Sequence, residues 1–445
     1  MAVLMKILQV ILALSVLIVF HELGHFFWAK LFHIRVEKFY LFFDVGAKGY
    51  IFSTKRSKWF TRLCPKALGW ETDYGIGWLP LGGYCKIAGM IDESMDTEQM
   101  KQPPQPWEFR THNPWQRLLV MSGGVLNNLL FAVLVYIAIA AIWGDSYISN
   151  KDSQIYPNAL AQEMGFRAGD RILAFDDYVP ENFGMLQADL ARRKVRTATV
   201  LRGTDTLTLY IDGAMMEKVL NSDVMFDLAI PFVVDSVAVE SPNKALLRGD
   251  HITAFDGQEV EFLQDSRAVL AGLTAREVQA TVVRGADTLS VPVQVDSAGR
   301  IGVYMRTPSI VTERYSFGQA IPAGLRLTGE SLRGYLQDLR LLATPSSGAY
   351  KSVGSFIAIG QVFPSAWDWY RFMYILALLS IMLAVMNLLP IPGLDGGHIV
   401  FTLYEIITGR KPSDNFMIVA QWIGMILLLA LMMLAFGNDI GRLIK

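Results

Sequence analysis

Cysteine is nearly absent: Cys64 and Cys85 are the only two in a chain of 445 residues. Two thiols cannot build a disulfide framework, and these lack the CxxC spacing of a zinc knuckle or redox pair, so both are read as reduced and unpaired. Histidine is scarce too, at six residues. Charged side chains make up 18% of the chain and nearly cancel, to a net −1. With no long basic run either, the composition argues against nucleic acid as a partner. What is plentiful is apolar: 52% of the residues are hydrophobic, more than an ordinary soluble domain carries.

That excess is concentrated in four windows, 7–30, 118–143, 372–389 and 416–436. Each is long enough to cross a hydrocarbon core of about 30 Å. The first stands where a signal peptide would. Its apolar run continues through Phe26, Phe27 and Trp28, and no small-x-small cleavage site precedes His21, so it is expected to be retained. Nine lysines and arginines lie between residues 30 and 66, against Lys6 alone ahead of the first window. Basic residues favour the cytoplasmic side, which puts that loop inside and the stretch 144–370 outside. Trp367, Trp369 and Tyr370 suit an outer interfacial belt. The expected fold class is a polytopic α-helical membrane protein of about four spans, with a β-rich insertion between the second and the third.

The insertion repeats itself. "AGDRILAFDD" from Ala168 matches "RGDHITAFDG" from Arg248, and "VLRGTDTLTL" from Val200 matches "VVRGADTLSV" from Val282. Each copy reads as a strand after Gly-Asp, then a turn, a helix and a hairpin. Over 153–213 and 232–305 this resembles two PDZ domains of the bacterial, circularly permuted type. Such domains accept an extended peptide, often its C-terminus, along a strand edge. No clear carboxylate-binding loop stands near Ile155 or Val233, so the pair is either a peptide-binding filter or a spacer.

The first window holds "VFHELGHFF" at residues 19–27. On a helix, residues four apart share a face, so His21 and His25 can aim two imidazoles at a single ion with Glu22 beside them. H-E-x-x-H on a helix is the zinc-peptidase pattern, with the glutamate as general base. Ionisable groups inside a membrane segment are costly and mark function. A catalytic zinc takes three protein ligands and leaves one position open, so another ligand must come from elsewhere. Residues 387–398, "NLLPIPGLDGGH", break the third window with two prolines and three glycines. Irregular backbone at membrane depth is tolerated only inside protein or beside water. Asp395 is the first choice for the third ligand and His398 its rival.

H-E-x-x-H in the first span with N-x-x-P-x-P-x-L-D-G in a later one resembles the site-2 protease family of intramembrane zinc metalloproteases. The paired PDZ-like repeats between the core spans resemble its bacterial regulator-of-sigma-E branch, and the likeness covers nearly the whole chain. The resemblance implies Zn2+ held by His21, His25 and Asp395, with Glu22 as catalytic base and Asn387 on the substrate backbone. An amide at Asn387 could equally cap a helix. It further implies regulated intramembrane proteolysis of single-span substrates, of the anti-sigma-factor or remnant signal-peptide type. The expected setting is a bacterial inner membrane, with the PDZ-like pair periplasmic and the active site toward the cytoplasm.

Two further stretches carry the same resemblance. "LPLGGYCKIAGM" at 79–90 is similar to the family's G-Y-x-K membrane-associated β-hairpin. It makes Gly82, Gly83, Tyr84, Cys85, Lys86 and Ile87 a candidate edge for an extended substrate, with a plain surface hairpin as the alternative. "SGGVLNN" at 122–128 is similar to G-P-x-x-N, with Gly124 in place of the proline and Asn127 as the motif asparagine. It serves either substrate contact or close helix packing. The domain plan is then 1–143 for the first membrane domain, 153–213 and 232–305 for the PDZ-like pair, and 370–445 for the last spans. An amphipathic helix at 317–342 lies on the outer membrane face or packs on the pair. The basic stretch 44–74 is longer than the family's segment and suits a membrane surface. An inactive PDZ-bearing scaffold would not need Glu22, and a metal transporter would spread titratable groups over several spans.

Overall fold

The structure, a computed structural model, describes residues 2–45, 49–80, 82–90, 102–222, 224–306, 310–344 and 354–444. It divides into two units. The first comprises Met1–Gly144, Arg314–Leu336 and Val353–Lys445, and the second Asp145–Glu313 and Gln337–Ser352.

The first unit opens with α1 (Ala2–Leu31), apolar nearly throughout. The chain then forms β1 (Val36–Leu41), β2 (Tyr50–Ser53), the short helix α2 (Lys58–Leu63), β3 (Asp73–Gly77) and β4 (Tyr84–Ile87). The second long helix, α3 (Pro114–Ile142), starts at an Asn113 capping box followed by proline, which satisfies the first orphan amides. The four strands make one sheet in the order β2-β3-β1-β4, with β1 parallel to β3 and antiparallel to β4. This corrects the expected hairpin: β4 is the outermost strand of a sheet, and its partner is β1 rather than an adjacent arm. Gly82 and Gly83 serve close approach. A Cβ at Gly82 would meet the Phe43 ring at 2.6 Å, and one at Gly83 would meet Ile18 at 2.6 Å and the Tyr40 carbonyl at 2.7 Å.

The basic stretch at 44–74 supplies β2, α2 and the start of β3. At its centre the buried Asp73 accepts hydrogen bonds from Tyr40 Oη at 2.7 Å, Ser53 Oγ at 2.9 Å, Thr54 Oγ1 at 2.9 Å and the Lys55 amide at 3.1 Å. Burial pushes this carboxyl up. The hydrogen bonds, Tyr40's foremost, outweigh that and hold it below the usual carboxylate range.

The second unit begins with β5 (Asp145–Ile148). Its first lobe contains β6 (Ile155–Pro157), α4 (Ala159–Glu163), β7 (Arg171–Phe175), α5 (Leu186–Arg193), β8 (Thr197–Arg202), β9 (Asp205–Tyr210), α6 (Met216–Asn221) and β10 (Phe226–Leu228). Strands β7, β8 and β9 form a meander, and β10 pairs back on β6. The boundary expected at 213 therefore falls short, because Val219, Met225 and Phe226 belong to this lobe's core. The second lobe contains β11 (Val234–Val237), β12 (His251–Phe255), β13 (Gln258–Glu259), α7 (Leu263–Ala271), β14 (Glu277–Arg284), β15 (Asp287–Gln294) and β16 (Val303–Met305). Its sheet runs β13-β12-β14-β15, and β11 pairs with β16. The register slips at the same place in both lobes, between Ile172 and Ala174 and between Ile252 and Ala254. Finally β17 (Ile310–Glu313) returns to pair with β5.

The helix α8 (Phe317–Leu342) covers the expected amphipathic segment. Its part in the first unit packs on α3, where Gly324 would bring a Cβ within 2.5 Å of Ile137, and Ser331 meets Tyr136 Oη at 2.8 Å. Its last turns, in the second unit, meet the first lobe, where Asp338 accepts from Arg192 Nε at 2.7 Å, so of the two expected settings packing on the β-rich pair holds for that end. After α9 (Phe356–Val362) come α10 (Trp369–Leu388), α11 (Asp395–Thr408) and α12 (Asp414–Ile444). Among the described residues, four helices are long and apolar enough to cross a membrane, over Ala2–Leu31, Pro114–Ile142, Trp369–Leu388 and Asn415–Gly441.

Candidate metal centre

The site starts at the crossing of α1 and α3. A Cβ on Gly24 would sit 2.1 Å from the Gly123 carbonyl, and one on Gly123 would sit 2.6 Å from that of Gly24, so the two backbones touch. Small residues permit such contact between membrane helices. His21 and His25, one turn apart, are both buried. Gly124 lies against both rings: a Cβ there would come within 2.5 Å of His21 Cε1 and of His25 Nε2. Of the two roles open to this glycine pair, the geometry displays helix packing.

The third element arrives from the broken span. α10 ends at Leu388, and Leu389 is extended, as the residue before a proline must be. The chain turns through Pro390 and Pro392 and restarts as α11, with Asp395 its first residue. A helix N-terminus favours a carboxylate there.

Three atoms converge. His21 Nε2 and His25 Nε2 are 3.3 Å apart, and Asp395 Oδ2 is 3.3 Å from the first and 3.4 Å from the second. His25 Nδ1 lies 2.8 Å from the Val120 carbonyl. A carbonyl only accepts, so that nitrogen carries a proton, and in the neutral ring Nε2 is then a bare lone pair. Asp395 Oδ2 is buried with no hydrogen-bond partner. Acceptors crowded on one point without donors repel one another unless a cation stands among them. A tetrahedral ion bonded at about 2.0–2.1 Å to nitrogen and oxygen sets its ligand atoms about 3.3 Å apart, so the donor set and its spacing fit zinc.

A cavity of about 430 Å³ opens on this trio. Glu22, half-buried, lines it and hydrogen-bonds the Cys85 backbone. Gly83, Tyr84, Cys85, Lys86 and Ile87 form part of its wall, whereas Gly82 stands outside. Asn387 also lines it, with Nδ2 3.3 Å from His21 Nε2. His398 is on the wall but outside the ligand trio. Asn127 is turned elsewhere, donating from Nδ2 to the Phe20 carbonyl at 2.5 Å. Its neighbour Asn128, passed over in the motif, is fully buried with Nδ2 3.2 Å from His21 Nδ1. The signal that could have found it is helical phase, since the buried positions Met121, Gly124, Val125 and Asn128 mark one face of α3. At the rim, Asp44 accepts from Tyr84 Oη at 2.5 Å, Arg56 at 2.5 Å and Lys38 at 3.1 Å. Burial pushes Asp44 up, but these bonds prevail and keep its carboxyl below the usual range.

Two such ligands on a helix able to cross a membrane, with the third just past the end of another, place the chain among membrane metallopeptidases. It matches peptidase family M50 over residues 9–431 and belongs to that family of zinc-dependent site-2 proteases. Relatives bearing the name "Putative zinc metalloprotease" agree with it end to end. That of Xylella fastidiosa strain 9a5c is 27% identical over 97% of both chains, and that of Clostridium perfringens strain 13 is 27% identical over 98% of both. One from Vibrio cholerae is 25% identical over 97% of this chain and 98% of its own. Zinc is accordingly the cofactor, and metalloproteolysis the activity, of this membrane protein.

Proposed function

We propose that this zinc metallopeptidase hydrolyses peptide bonds within the transmembrane segments of single-span proteins. The observation that carries the reading is that the ligand trio and Glu22 share one cavity with β4, the outermost strand of its sheet. A membrane helix bonds its own backbone internally and presents no extended scissile bond. Once unwound, a substrate can add to β4 as a further strand, alongside residues 83–87 and next to Glu22. Bound zinc supplies a Lewis acid that polarises a carbonyl and acidifies water. The Glu22 carboxylate takes the water's proton and hands it to the leaving nitrogen. Asn387, on the last turn of α10, offers a donor and an acceptor to the substrate backbone.

The two lobes of the second unit act as PDZ-type filters, through bound peptide C-termini or through size. Substrates are of the anti-sigma-factor or remnant signal-peptide type. The setting is a bacterial inner membrane; the basic residues after the first span support a cytoplasmic loop there, with the lobes in the periplasm.

The test measures zinc content and cleavage of a single-span helix together, on detergent-purified protein. Wild type should hold zinc and cut; Glu22→Gln should hold zinc and cut about 10²–10⁴-fold more slowly; Asp395→Asn should lose both. Full cleavage by Glu22→Gln would sink the mechanism. Zinc without any cleavage in wild type would leave a metal-binding PDZ-type scaffold.

A further inference from the structure

The two ligand histidines differ in what holds their far nitrogens. His25 has the Val120 carbonyl, 2.8 Å from Nδ1, and that bond sets its tautomer. His21 has the side chain of Asn128, 3.2 Å from Nδ1. Asn128 is fully buried, its backbone carbonyl accepts from Ser380 Oγ of α10 at 2.7 Å, and its Oδ1 has no hydrogen-bond partner. The residue is thus fixed between two helices with one polar atom unused.

From this we infer that Asn128 is the positioning residue for His21, presenting its carboxamide oxygen to the Nδ1 proton. The inference rests on the zinc site described above. A histidine that gives Nε2 to a metal and remains neutral must carry its proton on Nδ1, and that proton needs an acceptor. With Nδ2 toward the ring, Asn128 would offer a second donor to a nitrogen that already bears hydrogen. Half a turn of the carboxamide exchanges the two ends in place, so the metal-loaded site selects the orientation with Oδ1 on His21. Asn128 then does for His21 what the Val120 carbonyl does for His25. A side chain at this point has one property a backbone carbonyl lacks: it can be substituted without rebuilding the helix.

Three forms of the full-length protein in detergent decide the matter: wild type, Asn128→Leu and Asn128→Asp. Zinc affinity is read by competition with a chelator, and folding by thermal unfolding of the metal-free forms. Leucine shares the branched outline of asparagine, with bulkier ends, and has no acceptor, so Asn128→Leu should bind zinc about 10–100-fold more weakly. Aspartate keeps the acceptor and loses the donor, so Asn128→Asp should bind within a few-fold of wild type or tighter. A packing role predicts the reverse order, with leucine tolerated and aspartate harmful. Equal weakening in both would assign the contact to the amide donor. Either result overturns the inference while leaving the zinc site intact, whereas absence of zinc from wild type would remove the site itself. Should Asn128→Asp fail to fold, 15N-histidine labelling of zinc-loaded wild type and Asn128→Leu decides instead: the His21 Nδ1 proton resonance should move upfield when its acceptor is removed, and an unmoved resonance would refute the assignment.

Discussion

Two aspartates of the first unit, Asp73 buried and Asp395 half-buried, stand in opposite surroundings. Asp73 is ringed by donors, namely the hydroxyls of Tyr40, Ser53 and Thr54 and the Lys55 amide. Asp395 turns its Oδ2 toward His21 Nε2 and His25 Nε2, and that oxygen has no hydrogen-bond partner. The first is complete as it stands and anchors a sheet; the second is complete only around a cation. Charge does not separate them, and burial does so only slightly, because both carboxylates are largely withdrawn from water. What separates them is whether the neighbours donate or accept.

The contrast breaks most easily at Gly124. A methyl group there would lie 2.5 Å from both imidazoles, and the helices could relieve that clash only by giving up the Gly24–Gly123 contact. Gly124→Ala should weaken zinc binding at least as much as loss of a ligand's hydrogen-bond partner does, about 10–100-fold, and abolish cleavage. Chelator competition measures it, and wild-type affinity in the variant would show that α3 does not fix the rings.

Asp73→Asn should do the opposite, costing stability and sparing the metal. An amide in a ring of donors brings its own donors against them, at a cost of about 2–3 kcal/mol. The pH dependence has a definite sign. A carboxyl held below its unfolded range contributes stability that is fully present above the unfolded value of about 3.9 and is lost as pH falls through the folded value. Wild type should therefore lose stability on acidification below about pH 4 by a term that Asp73→Asn lacks. Equal acid slopes in the two proteins, from thermal unfolding at several pH values, would refute the donor ring as a source of stability.

The metal site was legible because its information is local. His21 and His25 are four apart on one helix, and the prolines at 390 and 392 announce a break whose first helical residue is Asp395. Non-local pairings were harder to read. β4 looked like a hairpin arm because Gly82 and Gly83 resemble a turn, but β1 pairs with it across the whole basic stretch. β10 closes the first lobe on β6 from beyond a helix, α6, that the repeat does not share. Asn128 was overlooked beside Asn127 because one residue along a helix is a rotation of about 100°, and only the position of α1 says which side matters.

The mildest effect is expected where the two lobes can be compared with each other. In the first, Asp170 accepts from Arg202 Nε at 2.7 Å and from the Arg167 amide at 2.8 Å, and Arg202 also reaches the Gly165 carbonyl at 2.8 Å. In the second, Asp250 accepts from Arg284 Nε at 2.7 Å and from the Leu247 amide at 2.8 Å, and Arg284 reaches the Ala245 carbonyl at 3.0 Å. Each aspartate is buried at the head of a strand, and each arginine ends the neighbouring strand, so the two pairs lock the same register slip. Asp170→Asn and Asp250→Asn should then destabilise their own lobes by similar amounts, about 1–3 kcal/mol each, and leave zinc binding unchanged. Hydrogen exchange of β7 and β12 amides reads the two losses separately. A loss confined to one lobe would mean that the repeat preserves the pair in form but uses it in only one copy.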